Sequence, residues 1–196
     1  MTTLVLSERM PDEGMALLDG RSDLNLVVLP DREQTTLAAA LPTADAVVLV
    51  GERPVLTAEL IVLAPRLRIA ARMGAGTDNF DIPALTARGI PLLTTGGANA
   101  GTVAEHAIYL LLALAKRGPA RDRAVKAGTW PRGFGATELA GGTAVIVGFG
   151  RIGREIAHRL RAFDMRILAV DPKVPTGHQD GIEFAPSLHA ALPGAD

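Results

Sequence analysis

The 196 residues carry a formal net charge of −1, with 48% hydrophobic and 21% charged side chains, enough length and apolar content for one or two packed domains. No long run of like charge is present, so the electrostatic footprint that nucleic acid or an anionic membrane demands is lacking, and neither is expected as a partner. The chain has no cysteine, which excludes disulfides and thiolate metal sites and fits a reducing, cytoplasmic compartment.

The opening MTTLVLSERM has too short an apolar stretch and no basic region for a secretion signal, so it reads as a first strand. Further short β-branched or Leu-rich runs follow at 24–29, 46–50, 67–71, 90–93, 144–147 and 166–170. Helical stretches lie between most of them. Their starts are marked by Pro11 ahead of Asp12 and Glu13, by Thr57 before AELIVLA, and by Asp81 before IPALTAR, which Gly89 stops. This alternation predicts an α/β protein with parallel sheets built from βαβ units. A Gly-rich stretch, TTGGANAG at 94–101, places a boundary near residue 98, and a long helix is expected from about Thr102. Its apolar run AIYLLLALA (107–115) is less than half of what a bilayer-spanning helix needs. A second loop, 128–142, leads into the strand TAVIVG.

The segment that carries chemistry is Gly148-Phe149-Gly150-Arg151-Ile152-Gly153, which follows an apolar strand and opens the helix REIAHRLRAF; a second strand, RILAV, then ends in Asp171. In such a unit the first glycine permits a tight turn, the second lets backbone approach a pyrophosphate, and the third lets helix and strand pack closely. The pyrophosphate sits on free N–H groups at the positive end of the helix, a turn to which Arg151 and Ile152 also belong. Asp171, 18 residues after Gly153, is placed to accept both ribose hydroxyl protons of the adenosine half. Its charge would repel a 2′-phosphate, so the expected cofactor is NAD and not NADP. A second cluster, Gly74-Ala75-Gly76-Thr77-Asp78-Asn79, follows the strand LRIAA. Its successive amides suit a carboxylate, but on the pattern alone it reads rather as a strand-capping turn in which Asp78 and Asn79 bond the local backbone.

MGAGTDNFDIPALTARGIP, GTVAEHAIYLLLALAKR, AGTWPR and GFGRIGREIAHRLRAFDMRILAVDP resemble, in order and spacing, the D-isomer-specific 2-hydroxyacid dehydrogenases, a family that includes phosphoglycerate dehydrogenases and glyoxylate/hydroxypyruvate reductases. The resemblance implies a flavodoxin-like substrate domain over 1–98, followed over 99–196 by the first half of a Rossmann dinucleotide-binding domain. It implies that the amides of Ala75 and Gly76 bind the substrate carboxylate and that Thr102 lies near the nicotinamide. It also implies a homodimer contact through the long helix. Phe149 stands where the family usually has Leu, at a packing position, and Asp164 replaces a common Gly, which alters the turn into the second strand. Where phosphoglycerate dehydrogenases tend to carry an Arg for the substrate phosphate, this chain has Gly51, with Arg53 out of register.

Hydride exchange between a 2-hydroxy acid and NAD needs a base, a carboxylate that tunes it and a cation that orients the substrate. By the resemblance these are a His, a Glu and an Arg that fall beyond Asp196, so no catalytic residue is assigned within the chain. His106 reads as a structural residue of the long helix, His158 as a surface or packing residue, His178 as part of a polar loop and His189 as part of the last helix. Arg88-Gly89 and Arg132-Gly133 imitate the catalytic Arg-Gly pair without the strand that should precede it. The expected function is an NAD-dependent dehydrogenase of small D-2-hydroxy or 2-oxo acids, present as an incomplete chain. The alternative is a non-catalytic NAD-binding regulator or scaffold. A Rossmann half with two strands leaves a sheet edge unpaired, so the chain alone is expected to be marginally stable or to associate.

Overall fold

The computed structural model describes every residue except Pro131 and Phe134; Pro131 of the AGTWPR segment and Phe134 of the 128–142 loop therefore lie outside the described residues. The chain forms two compact units, Met1–Gly96 and Gly97–Asp196.

In the first unit, β1 (Thr2–Leu6), β2 (Leu24–Val28), β3 (Ala46–Leu49), β4 (Ile69–Arg72) and β5 (Leu92–Thr94) make one parallel sheet in the order β2-β1-β3-β4-β5. This is the flavodoxin-like winding. Four helices connect the strands: α1 (Asp12–Ala16), α2 (Gln34–Ala40), α3 (Ala58–Val62) and α4 (Ile82–Ala87). The helix starts follow from local chemistry. Thr57 Oγ1 accepts from the Leu60 N–H at 3.4 Å, and Asp81 Oδ1 accepts from the Ala84 N–H at 2.9 Å, each satisfying a donor that the first helical turn leaves open. Gly89 adopts φ +63° past the end of α4, the left-handed position at which a helix is most easily stopped. Val5, Val47 and Leu49 from the strands pack with Leu37, Ile61 and Leu85 from the helices and with Leu41, just past the end of α2. Adjacent Val5 and Leu6 are both buried, as a parallel sheet covered on two faces requires.

The second unit opens with α5 (Ala100–Ala115) and α6 (Gly118–Lys126), then β6 (Thr143–Val147), α7 (Arg151–Arg161) and β7 (Arg166–Val170), and continues through β8 (Gly177–Gln179), β9 (Ile182–Phe184) and α8 (Leu188–Ala191). The sheet order is β6-β7-β9-β8, with only the β8–β9 pair antiparallel. The expectation of a two-strand sheet is corrected here, because the second edge of β7 is paired with β9. Strand β9 is three residues long and β8 is the exposed stretch Gly-His-Gln, both too short for alternation to register in sequence. β6 stands at the other end of the sheet, where the Asp196 carboxylate accepts from the Thr143 N–H at 2.8 Å. Helix α7 buries Gly153, Ala157 and Leu160, a spacing that keeps one face on the core with Ile146, Ile167 and Phe184. No helix among the described residues is long and apolar enough to cross a membrane.

Candidate functional site

The glycine turn between β6 and α7 is built by three different constraints. Gly148 has φ +91° and donates its N–H to the Val170 carbonyl at 2.8 Å, so the turn is tied to the end of β7. Gly150 is exposed, and a side chain there would point into open space. Gly153 is the opposite case: a Cβ would run into the carbonyl oxygen of Gly148 and approach Ile146 Cγ2 to 3.3 Å. Packing therefore requires the third glycine, while the second leaves backbone uncovered. Arg151 and Ile152 begin α7, where helical geometry provides no carbonyl for their amides. The Phe149 ring is buried, edge-on to Phe184 with centroids 5.1 Å apart and with the Arg154 guanidinium 4.7 Å above it. It packs and leaves the open side of the turn free.

Asp171 stands just past β7. Its Oδ1 accepts from the Lys173 N–H at 2.8 Å and its Oδ2 from the Phe149 N–H at 2.7 Å. These two bonds, with Lys173 the larger influence, hold the carboxyl below its ordinary range, so it is ionised at neutral pH. Two amides leave the remaining lone pairs of a half-buried carboxylate available. The bond to Phe149 is not legible in the sequence: the acid that ends β7 also pins the glycine turn. An acid at the end of a strand followed by Pro-Lys was a signal for the Lys173 bond alone.

Arg151 is exposed, and its Cγ lies 3.5 Å from where a Cβ on Gly97 would stand, so the absence of a side chain at Gly97 makes room for it. Thr102 is exposed in the first turn of α5, which begins two residues earlier than expected, at Ala100.

In the first unit the Gly74–Asn79 turn leaves β4. Ala75 and Gly76 are exposed, and their amides make no backbone hydrogen bond among the described residues. The capping alternative expected Asn79 to bond locally. Instead Asn79 is buried, and its Nδ2 donates across the sheet to the Gly51 carbonyl at 3.2 Å. Asn79 Oδ1 and Arg72 Nε are buried without a partner among the described residues, and Arg72 Nε lies 3.0 Å from where a Cβ on Gly74 would stand. Arg72, half-buried at the end of β4, is thus a second residue missed in the sequence; its only signal is its place just ahead of the glycines.

The histidines do not converge. His106 is exposed on α5, its ring 5.7 Å from that of Tyr109, which corrects its reading as a structural residue. His178 lies in β8 and not in a loop, 3.9 Å from Glu183, while His158 and His189 are exposed on α7 and α8. Arg88 donates to the carbonyls of Ile61 and Pro65, a structural clasp at the end of α3. Arg132 is exposed.

Comparison with known proteins finds D-3-phosphoglycerate dehydrogenase of Mycobacterium tuberculosis 38% identical over 100% of this chain and 37% of the relative. Hydroxypyruvate reductase of Thermotoga maritima is 36% identical over 87% of this chain and 55% of its own length. The chain therefore spans little more than a third of the mycobacterial relative. Among solved structures, a glyoxylate reductase from Paecilomyes thermophila superimposes with a TM-score of 0.87 at 25% identity, covering 100% of this chain and 63% of that one. The NAD-dependent formate dehydrogenase of Staphylococcus aureus, in complex with NAD, does so with 0.83 at 26% identity and the same coverage. Residues 4–179 match the catalytic-domain family of D-isomer specific 2-hydroxyacid dehydrogenases, and the chain belongs to that family.

Proposed function

We propose that this chain is the substrate-recognising and cofactor-binding part of an NAD-dependent dehydrogenase acting on small D-2-hydroxy or 2-oxo acids. The observation that carries the reading is the β6–α7 turn, in which the third glycine is required by packing while the second leaves its backbone open beside the ionised Asp171. A pyrophosphate fits over Gly150 against the amides of Arg151 and Ile152, with Gly148 and Gly153 shaping the turn. Asp171 accepts the ribose hydroxyl protons with the lone pairs that Phe149 and Lys173 leave free. When bound, the nicotinamide supplies or takes the hydride. Thr102 is assigned to the nicotinamide end of the cofactor, and residues 99–196 to cofactor binding.

Residues 1–98 are assigned to the substrate, whose carboxylate is received by the amides of Ala75 and Gly76, which make no backbone hydrogen bond among the described residues. Arg72, half-buried and with its Nε lacking a partner among the described residues, supports the assignment by adding a cation against this turn. No general base or acid is assigned within residues 1–196, because the four histidines are exposed and dispersed. The apolar exposed face of α5 supports a homodimer: Tyr109 is 62%, Leu110 49% and Leu114 78% exposed.

Titration with NADH and NADPH tests the cofactor assignment. Tighter binding of NADH, by about tenfold or more, is expected from repulsion between Asp171 and a 2′-phosphate, and Asp171→Ala should narrow the difference. Equal affinities in the unmodified protein overturn the role of Asp171.

A further inference from the structure

We propose that the crevice at the carboxyl ends of β1 and β3 selects an unphosphorylated 2-oxo acid, with Gly51 and Glu8 as the specificity-determining pair. The proposal rests on the dehydrogenase reading above. Most of the relatives compared are named for a phosphorylated substrate and one for hydroxypyruvate; family membership admits both, and the loops of this chain must choose between them.

In an open α/β sheet the ligand crevice lies beyond the carboxyl ends of the strands, where the winding reverses. In the order β2-β1-β3-β4-β5 that point is between β1 and β3. The loops leaving these strands are clasped there, because buried Ser7 accepts through Oγ from the Val50 N–H at 2.9 Å. The next residue on each side is Glu8 and Gly51. Glu8 Oε1 lies 2.8 Å from where a Cβ on Gly51 would stand, so the carboxylate is laid over the bare backbone of Gly51. The Gly51 carbonyl accepts in turn from Asn79 at 3.2 Å, which joins this wall to the turn that presents Ala75 and Gly76.

The charges here serve a substrate with a single anionic group. Arg32, from the loop after β2, is engaged with Glu8. Arg53 shares a cavity of about 490 Å³ with Arg32, Glu33, Gln34 and Glu52, so two cations face two anions and no net positive charge is left. Arg72 stands at the Gly74 turn, where one carboxylate is received. A phosphate dianion beyond that carboxylate would meet the Glu8 carboxylate or have to draw Arg32 away from it, whereas a hydrogen, methyl or hydroxyl group does neither. Like charges set against a wrong ligand are an effective route to discrimination.

The test uses the full native protein with its cofactor and compares NADH-dependent reduction of hydroxypyruvate and of the phosphate ester of hydroxypyruvate. The expected kcat/KM favours hydroxypyruvate by on the order of 100-fold. Glu8→Gln, and more so Glu8→Gln combined with Gly51→Arg, should shift the ratio toward the ester by about tenfold or more, mainly through the KM of the ester. Equal or better turnover of the ester by the unmodified protein overturns the proposal and leaves the dehydrogenase reading intact. An unchanged ratio in a Glu8→Gln variant with an unaltered melting temperature removes Glu8 from the pair. Should the double variant not fold, the unmodified protein and Glu8→Gln decide by themselves. Failure to reduce these or any other small 2-oxo acid overturns the dehydrogenase reading, and this inference with it.

Discussion

Single residues of the β6–α7 turn carry separable tasks, and Gly153 shows it most directly. A methyl group at this position is driven into the Gly148 carbonyl, a backbone atom that cannot swing aside. Gly153→Ala should therefore cost about 1–3 kcal/mol of stability, as overpacking does, and weaken NADH binding by displacing the turn. Urea unfolding and NADH fluorescence titration on the same preparation check both effects; a variant with unchanged stability would show that the turn yields easily. Gly153 and Asp171 were legible in the sequence, since their roles depend on neighbours along one βαβ unit. The Phe149–Asp171 bond was not, because it needs the register of two parallel strands to bring the ends together.

At the scale of elements, capping decides where the short helices of the first unit begin. Asp81 is the start signal of α4 and its carboxylate is used as such. Asp81→Ala should cost about 1 kcal/mol and lower the melting temperature; no change in a thermal melt would mean that the six residues of α4 are held by packing alone. The turn from α7 into β7 places Asp164 at φ +57°, the left-handed region in which glycine is at ease. The conformation is thus borne by an Asp, one of the few residues with a side chain that adopts it with modest strain. Strands β8 and β9 escaped the sequence reading for the opposite reason. Their three-residue lengths carry too little pattern, and β9 exists because Ile182 and Phe184 are buried against β7 and α7.

For the molecule as a whole, α5 carries the least settled surface. Val103, Tyr109, Leu110 and Leu114 are exposed along a helix whose other side holds Ala104 and Ile108 in the core. If that face joins two copies, Leu110→Glu with Leu114→Glu should convert a dimer into a monomer in sedimentation velocity. A monomer already in the unmodified protein removes the homodimer from the reading. The expectation of an exposed sheet edge is changed in kind by the four-strand sheet, since pairing between β7 and β9 leaves β6 as the end strand on the other side.

By itself the sequence determined the longer elements and the glycine turn between β6 and α7, because hydrophobic periodicity, helix caps and the Gly148-Gly150-Gly153 spacing are local and act within a few residues of their cause. The family, too, was legible from four segments in order. Only the tertiary structure decided that Glu8 lies over Gly51, that Asn79 bonds to Gly51 and that Arg72 Nε is buried at the Gly74 turn without a partner among the described residues. Those loops are far apart along the chain and meet because parallel strands all deliver their carboxyl ends to one edge of the sheet, in a winding order that no local pattern encodes.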